Sequence, residues 1–188
     1  GKPFVAKNHN DNSWELVVED SSNNLCLIDK QGKVLWKKQL NGLIRGDVHQ
    51  VDYFVNGKLQ LLLSTDRTLY LIDRLGNDVS GFPRTLQTAT ELMNTVDYDH
   101  SRKYRYVFSD KKGVVKMTDK EGELLDGWNG LSVGGELLTA PKHYRVSGGD
   151  YVSILRKDGQ FFLFNRRGEK VKGFPVDLKS RVREDYFF

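Results

Sequence analysis

The stretch LIDRLGNDVSGFP, residues 71–83, returns as LFNRRGEKVKGFP at residues 163–175, 92 residues later. A chain that repeats a phrase at a fixed distance is built from repeated structural units. Four apolar runs end in the same turn: LCLIDKQG (25–32), LYLIDRLG (69–76), VKMTDKEG (115–122) and FFLFNRRG (161–168). The turn residues Asp29, Asp73, Asp119 and Asn165 stand 44, 46 and 46 residues apart, and each is followed three residues on by Gly32, Gly76, Gly122 or Gly168. Asp or Asn at the first position accepts a hydrogen bond from the backbone two residues on. Gly at the fourth takes a positive φ at little cost. Each unit is therefore expected to carry a tight hairpin here. One turn per unit accounts for all four pairs without metal or phosphate binding.

Two further marks keep this period. GFP stands at 81–83 and 173–175, GWN at 127–129, and Trp36 in KVLWKKQL holds the place in the first unit. One large ring per unit reads as a packing device between neighbouring units, with an aromatic ligand cage as the alternative. One strand earlier come VDYF from Val51, VDYD from Val96 and KHYR from Lys142, and the chain closes on EDYFF, 184–188. The unit reads as four strands. In the second unit they are expected near 48–55, 58–64, 68–73 and 78–85, with turns at Asn56-Gly57, Asp66-Arg67 and Leu75-Gly76. LQLLLS and YRYVFS are short and apolar or alternating, as central strands are. The best helical window, 90–94, is too short to stand alone.

Four-stranded antiparallel units of this length have the size of β-propeller blades. The expectation is an all-β fold, a single β-propeller domain of about four blades. Blade 1 covers about 14–40 and is completed by a closing strand at 181–188. Blade 2 covers about 46–86, blade 3 about 92–131 and blade 4 about 138–178. A closed four-blade ring is favoured over a slice of a larger propeller. The strand that the first unit lacks matches in type the extra strand at the end, and closure protects the sheet edges.

NLCLIDKQGKVLW, 24–36, resembles the repeat of quinoprotein-type (pyrroloquinoline-quinone-like) β-propellers, two strands joined by an Asp…Gly turn and ending in Trp. LYLIDRLGNDVSGFP and its partners are similar to the variant found in uncharacterised Bacteroidetes propellers, and distantly to the integrin-type repeat. The resemblance spans nearly the whole chain, from about Trp14. It implies the architecture rather than one activity, since this fold hosts many functions. Quinone-dependent members hold their cofactor with Ca²⁺, an acidic base and often a vicinal cysteine pair, whereas this chain has one cysteine, Cys26, and no matching acidic pair. Members without cofactor serve as scaffolds in outer-membrane assembly and cell-surface complexes. The integrin-type calcium loop needs oxygen ligands at alternate positions and a Gly. DYDHSRK offers Asp97, Asp99 and Ser101, then Lys103 in place of the next ligand.

Composition narrows the classes further. A net charge of +4 spread along the chain reads as a solvated, mildly basic surface rather than a nucleic-acid face. The single cysteine excludes an intrachain disulfide, and no apolar run approaches the length of a membrane span. The opening GKPF, without Met, reads as a trimmed start from which a targeting segment has been removed. With the resemblance, this places the protein in the periplasm or at a bacterial cell surface. No nucleophile elbow, phosphate loop or zinc-spaced histidine pair is present, so no catalytic residue, metal or cofactor is expected. A ligand, if one binds, belongs where the innermost strands line a channel. The candidates there are Arg45, Asp47, His49 and Gln50 from RGDVHQ, Glu91 and Asn94 from ELMN, and His143 from APKHY. The expected function is a non-catalytic protein-interaction or scaffold module with a protein partner. The alternative is a sugar- or quinone-binding or enzymatic propeller that takes a small molecule or glycan at that channel.

Overall fold

A computed structural model describes residues 3–180 and Val182. These residues form four antiparallel four-stranded sheets and no helix, and in every sheet the strands lie side by side in chain order. The first sheet is β1 (Phe4–Lys7), β2 (Trp14–Glu19), β3 (Asn24–Ile28) and β4 (Val34–Gln39). The second is β5 (His49–Val51), β6 (Gln60–Ser64), β7 (Thr68–Ile72) and β8 (Arg84–Thr85). The third is β9 (Leu92–Val96), β10 (Arg105–Ser109), β11 (Val114–Asp119) and β12 (Leu124–Ser132). The fourth is β13 (Lys142–Val146), β14 (Gly149–Leu155), β15 (Gln160–Asn165) and β16 (Val176–Asp177). The chain divides into two compact units of two sheets each, residues 1–90 and 91–188.

Every unit's β-turn uses the predicted chemistry, with one variation. Asp29 Oδ1 accepts from Gln31 N and Lys33 N at 2.9 Å, and Asp73 and Asn165 do the same for Leu75 and Asn77 and for Arg167 and Glu169. At Asp119 the bonds go to Gly122 N and Glu123 N instead.

Of the four rings, Trp36 and Trp128 join neighbouring sheets inside each unit, whereas Phe82 and Phe174 stand edge-on to Tyr53 and Phe161 in their own repeats. Trp36 on β4 donates from Nε1 to the Arg74 carbonyl at 2.9 Å, in the turn after β7. Trp128 on β12 donates to the Arg166 carbonyl at 3.0 Å, in the turn after β15. Trp128 is fully buried in a core with Val107, Met117, Ile154 and Phe164. Trp36 packs on the core of the first unit, around Val17, Leu25, Leu27, Leu63 and Ile72. The glycine of the receiving turn is needed for the fit as well as for its φ. A Cβ on Gly76 would stand 2.9 Å from the Trp36 ring.

Two boundaries differ from the sequence reading. The first sheet has its own first strand, Phe4–Lys7, paired with β2 from Phe4↔Val17 to Lys7↔Trp14. It stands on the edge that the sequence reading reserved for 181–188. Its brevity and its Pro3 neighbour hide it in the sequence. Apart from Val182, residues 181–188 lie outside the described residues. The fourth strand of the second sheet is only Arg84–Thr85. The chain touches β7 once at Asp78 and then turns through Ser80-Gly81 before rejoining it.

Candidate functional site

The seven residues singled out in the sequence fall in both units. Arg45, Asp47, His49 and Gln50 belong to the first, and Glu91, Asn94 and His143 to the second. In the first unit, Arg45 lies in the segment before β5, where its N–H donates to Ser64 O at 2.8 Å and its carbonyl accepts from Ser64 Oγ at 3.2 Å. Asp47 is exposed. Gln50 binds the backbone of Lys7 twice, accepting from its N–H at 2.6 Å and donating to its carbonyl at 2.9 Å. It stitches β5 to β1. In the second unit, Glu91 N donates to Ser109 O at 2.7 Å. Asn94 Nδ2 donates to the Pro141 carbonyl at 2.7 Å and so links β9 to the entry of β13.

The register separates the two histidines that looked equivalent. His49 pairs with Leu62, which pairs with Leu71, two residues before the turn residue Asp73. The residue with those relations on β13 is Lys142, through Ser153 and Leu163. His143 is its neighbour and corresponds to Gln50. Successive side chains on a strand leave on opposite faces. His49 and His143 therefore project from opposite faces of their own sheets.

His143 instead anchors a polar cluster within the second unit. Its Nε2 lies 2.8 Å from Asp150 Oδ1, and since a carboxylate only accepts, Nε2 carries the proton. Its ring stands edge-on to Tyr98, with centroids 4.8 Å apart. Asp150, on β14, is 9% exposed and also meets Arg145 at 3.8 Å and Arg166 at 3.2 Å. The two arginines converge on a second carboxylate. Asp99 Oδ1 accepts from Arg166 at 2.9 Å and from Arg145 at 3.3 Å. The Arg166 hydrogen bond, opposed by some desolvation and aided by the remaining charge of Arg166 and by Arg145, holds the Asp99 carboxyl below the usual carboxylate range. Beneath them lies Tyr98, buried, with the Arg166 guanidinium 4.3 Å and the Arg105 guanidinium 4.8 Å from its ring centre. Burial pushes the Tyr98 phenol above its ordinary value, and the two arginines only partly offset this. A cleft of about 290 Å³ opens beside the cluster, lined by Asp150, Tyr151, Arg166, Arg167 and Glu169 among others.

Of these residues the sequence reading named His143 for a site and weighed Asp99 as a calcium ligand. Arg105, Arg145, Asp150 and Arg166 were missed, and Tyr98 was read only as a repeat mark. The calcium reading of DYDHSRK finds other work for its carboxylates. Asp97 caps the N–H groups of Ser101 and Arg102, as Asp52 caps those of Asn56 and Gly57, and Asp99 binds the two arginines. Among the described residues no group of three or more His, Cys, Asp or Glu could hold a metal ion.

Comparison with known proteins adds the architecture. No protein-family model and no curated relative matches the chain. Solved structures do. BBS1N, crystallised in complex with ARL6DN, is 14% identical with a TM-score of 0.67, and the match covers 95% of this chain and 54% of that one. The C-terminal domain of Pseudomonas aeruginosa PilY1 is 15% identical at TM-score 0.57, covering 97% and 51%. A Bacteroides caccae protein of unknown function is 16% identical at 0.52, covering 89% and 58%. The fold is a β-propeller. Its four sheets are four-stranded antiparallel blades. The chain spans about half the length of these solved chains. The likeness to the quinoprotein type in particular stays a matter of the repeat sequence.

Proposed function

We propose that this chain is a non-catalytic β-propeller module that binds another protein, and that it works in the periplasm or at the surface of a bacterial cell. The observation that carries the reading is the cluster around Asp150. It presents arginines, a residue type enriched at protein interfaces, over a buried tyrosine at one end of the second unit's strands. Hydrogen bonds and ring contacts account for His143 there. BBS1N, similar in fold, was crystallised with a protein bound, which agrees with this use of the architecture. The extracytoplasmic setting rests on the repeat resemblance, and the similarity to PilY1 and to the Bacteroides caccae protein is consistent with it.

The test pairs two measurements. A thermal-shift screen against pyrroloquinoline quinone with Ca²⁺ and a panel of oligosaccharides is expected to show no stabilisation. A true ligand at a hundred times its dissociation constant would add about 2.7 kcal/mol. A shift that disappears in His49→Ala or His143→Ala would overturn the reading in favour of a sugar- or quinone-binding propeller. Titration calorimetry with a protein recovered on the immobilised chain is expected to show saturable binding, and failure of every such protein to bind in purified form would count against the module.

A further inference from the structure

The two units carry the same arginine in two different electrostatic settings. Arg74 and Arg166 each follow the turn residue of their blade, and each carbonyl receives an indole from the preceding blade. In the first unit the Arg74 fork is closed. Both of its terminal nitrogens bind Glu15, at 2.6 and 2.7 Å, and Glu15 is 4% exposed. Glu15 sits on β2 one residue before Leu16, which pairs with Ile28, the residue preceding Asp29. The matching residue in the second unit precedes Tyr106, which pairs with Thr118, ahead of Asp119. That residue is Arg105. The buried acid that neutralises the arginine in one unit is a third arginine in the other.

The consequence is an under-neutralised site. Three guanidinium groups, from Arg105, Arg145 and Arg166, face two carboxylates, Asp99 and Asp150. The Asp150 side chain is 9% exposed and is held by His143. Asp99 is 55% exposed and reaches the arginines from the 97–104 loop, with one oxygen shared between them. We infer that Arg145 and Arg166 form a fork for a carboxylate side chain of an acidic peptide segment in the partner, and that Asp99 is its internal stand-in. Asp150 is the positioning residue that aims both arginines, and Tyr98 is the platform beneath them. The cleft beside Asp150 and Arg166 gives such a segment room to approach. This assignment rests on the protein-interaction reading and names the partner's chemistry.

The experiment is fluorescence anisotropy of the 188-residue chain with labelled hexaglutamate, at low and at physiological salt. Asp99→Asn removes the competitor and should tighten binding, by about tenfold if one charge-assisted hydrogen bond pair is released. Arg145→Ala and Arg166→Ala should each weaken it by a similar factor, and Arg166→Lys should fall between because an ammonium cannot fork. Arg145 is half exposed, so its variant reports on binding even if Arg166→Ala loosens the blade pair. Free glutarate at equal carboxylate concentration should bind far more weakly than the peptide, and equal binding would overturn the peptide assignment. Unchanged or weaker binding in Asp99→Asn would overturn the stand-in role. Hexaglutamate binding that ignores both arginine variants would overturn the site. If the site fails while a purified protein partner still binds elsewhere on the chain, the module reading survives it.

Discussion

Gly32 and Gly76 offer a controlled comparison of what a blade demands of its own turn and what its neighbour demands of it. Both are the fourth residue of the same turn, with φ of +83° and +87°. Alanine at either carries the left-handed penalty of an L residue, about 1–2 kcal/mol. Only the surroundings differ. A Cβ on Gly32 meets nothing within 4 Å, whereas on Gly76 it stands 2.9, 3.0 and 3.2 Å from Cδ2, Cγ and Cε3 of Trp36. The ring cannot slide away without stretching its 2.9 Å bond to the Arg74 carbonyl. Overpacking of this kind costs roughly 1–3 kcal/mol. Gly76→Ala should therefore be less stable than Gly32→Ala by that amount. In urea, with a slope of roughly 2 kcal/mol/M, the gap is a midpoint difference near 1 M. Both positions lie in the first unit, so they report on the same part of the molecule. The added Trp36→Ala background should erase most of the gap, because the obstacle is gone. Equal midpoints for the two single variants, or a gap that persists without the indole, would refute the claim that the neighbour's ring dictates this glycine.

Other outcomes follow from the same contacts. Trp128→Phe keeps most of the buried ring but leaves the Arg166 carbonyl without its donor, and should cost about 1–3 kcal/mol by urea denaturation. Glu15→Ala strands Arg74 beside a mostly buried site and should cost about 3–5 kcal/mol, with Glu15→Ala/Arg74→Ala costing less than the sum of the singles. The Asp20–Lys37 pair sets a pH signature. The Lys37 hydrogen bond, with the N–H and side chain of Asn24, lowers the Asp20 carboxyl well below the carboxylate range, and the same bond raises Lys37. A lowered acid contributes stability above its unfolded pKa and loses it as pH falls through the folded value. A raised base contributes below its unfolded pKa and loses it as pH rises through the folded value. Asp20→Asn should therefore flatten the pH profile of the urea midpoint both below about pH 4 and above about pH 10.

The fold was legible because its signals are local. An Asp or Asn followed three residues on by Gly declares a hairpin wherever it occurs, and four such hairpins at one spacing fix the strands around them. The 92-residue spacing of the recurring phrase is longer than a single blade's period. Trp ends the first and third blades and Phe-Pro the second and fourth, so the unit that recurs most faithfully is two blades long. The candidate site was harder to read because it depends on parity. His49 and His143 lie near the same place on their strands, yet a one-residue offset puts them on opposite faces, and only the pairing partners reveal it. Arg105 was visible as a charge but not as the counterpart of Glu15, since that equivalence needs the register of β2 and β10. Asp150 lies in a polar stretch, SGGD, that reads as a turn, and its partners His143, Arg145 and Arg166 come from other strands and turns of its own sheet, which only the pairing reveals.

The Gln50 amide has a mechanical meaning. An edge strand of four residues, paired with one neighbouring strand, peels from the end farther from its hairpin one rung at a time. For β1 the peeling would begin at Phe4 and reach Lys7 last. At that last rung Gln50 grips both the N–H and the carbonyl of Lys7, so a strand unzipped this far is still tethered to the next blade. The amide is a stop on the zipper, and it confines fraying to the first three rungs of the strand.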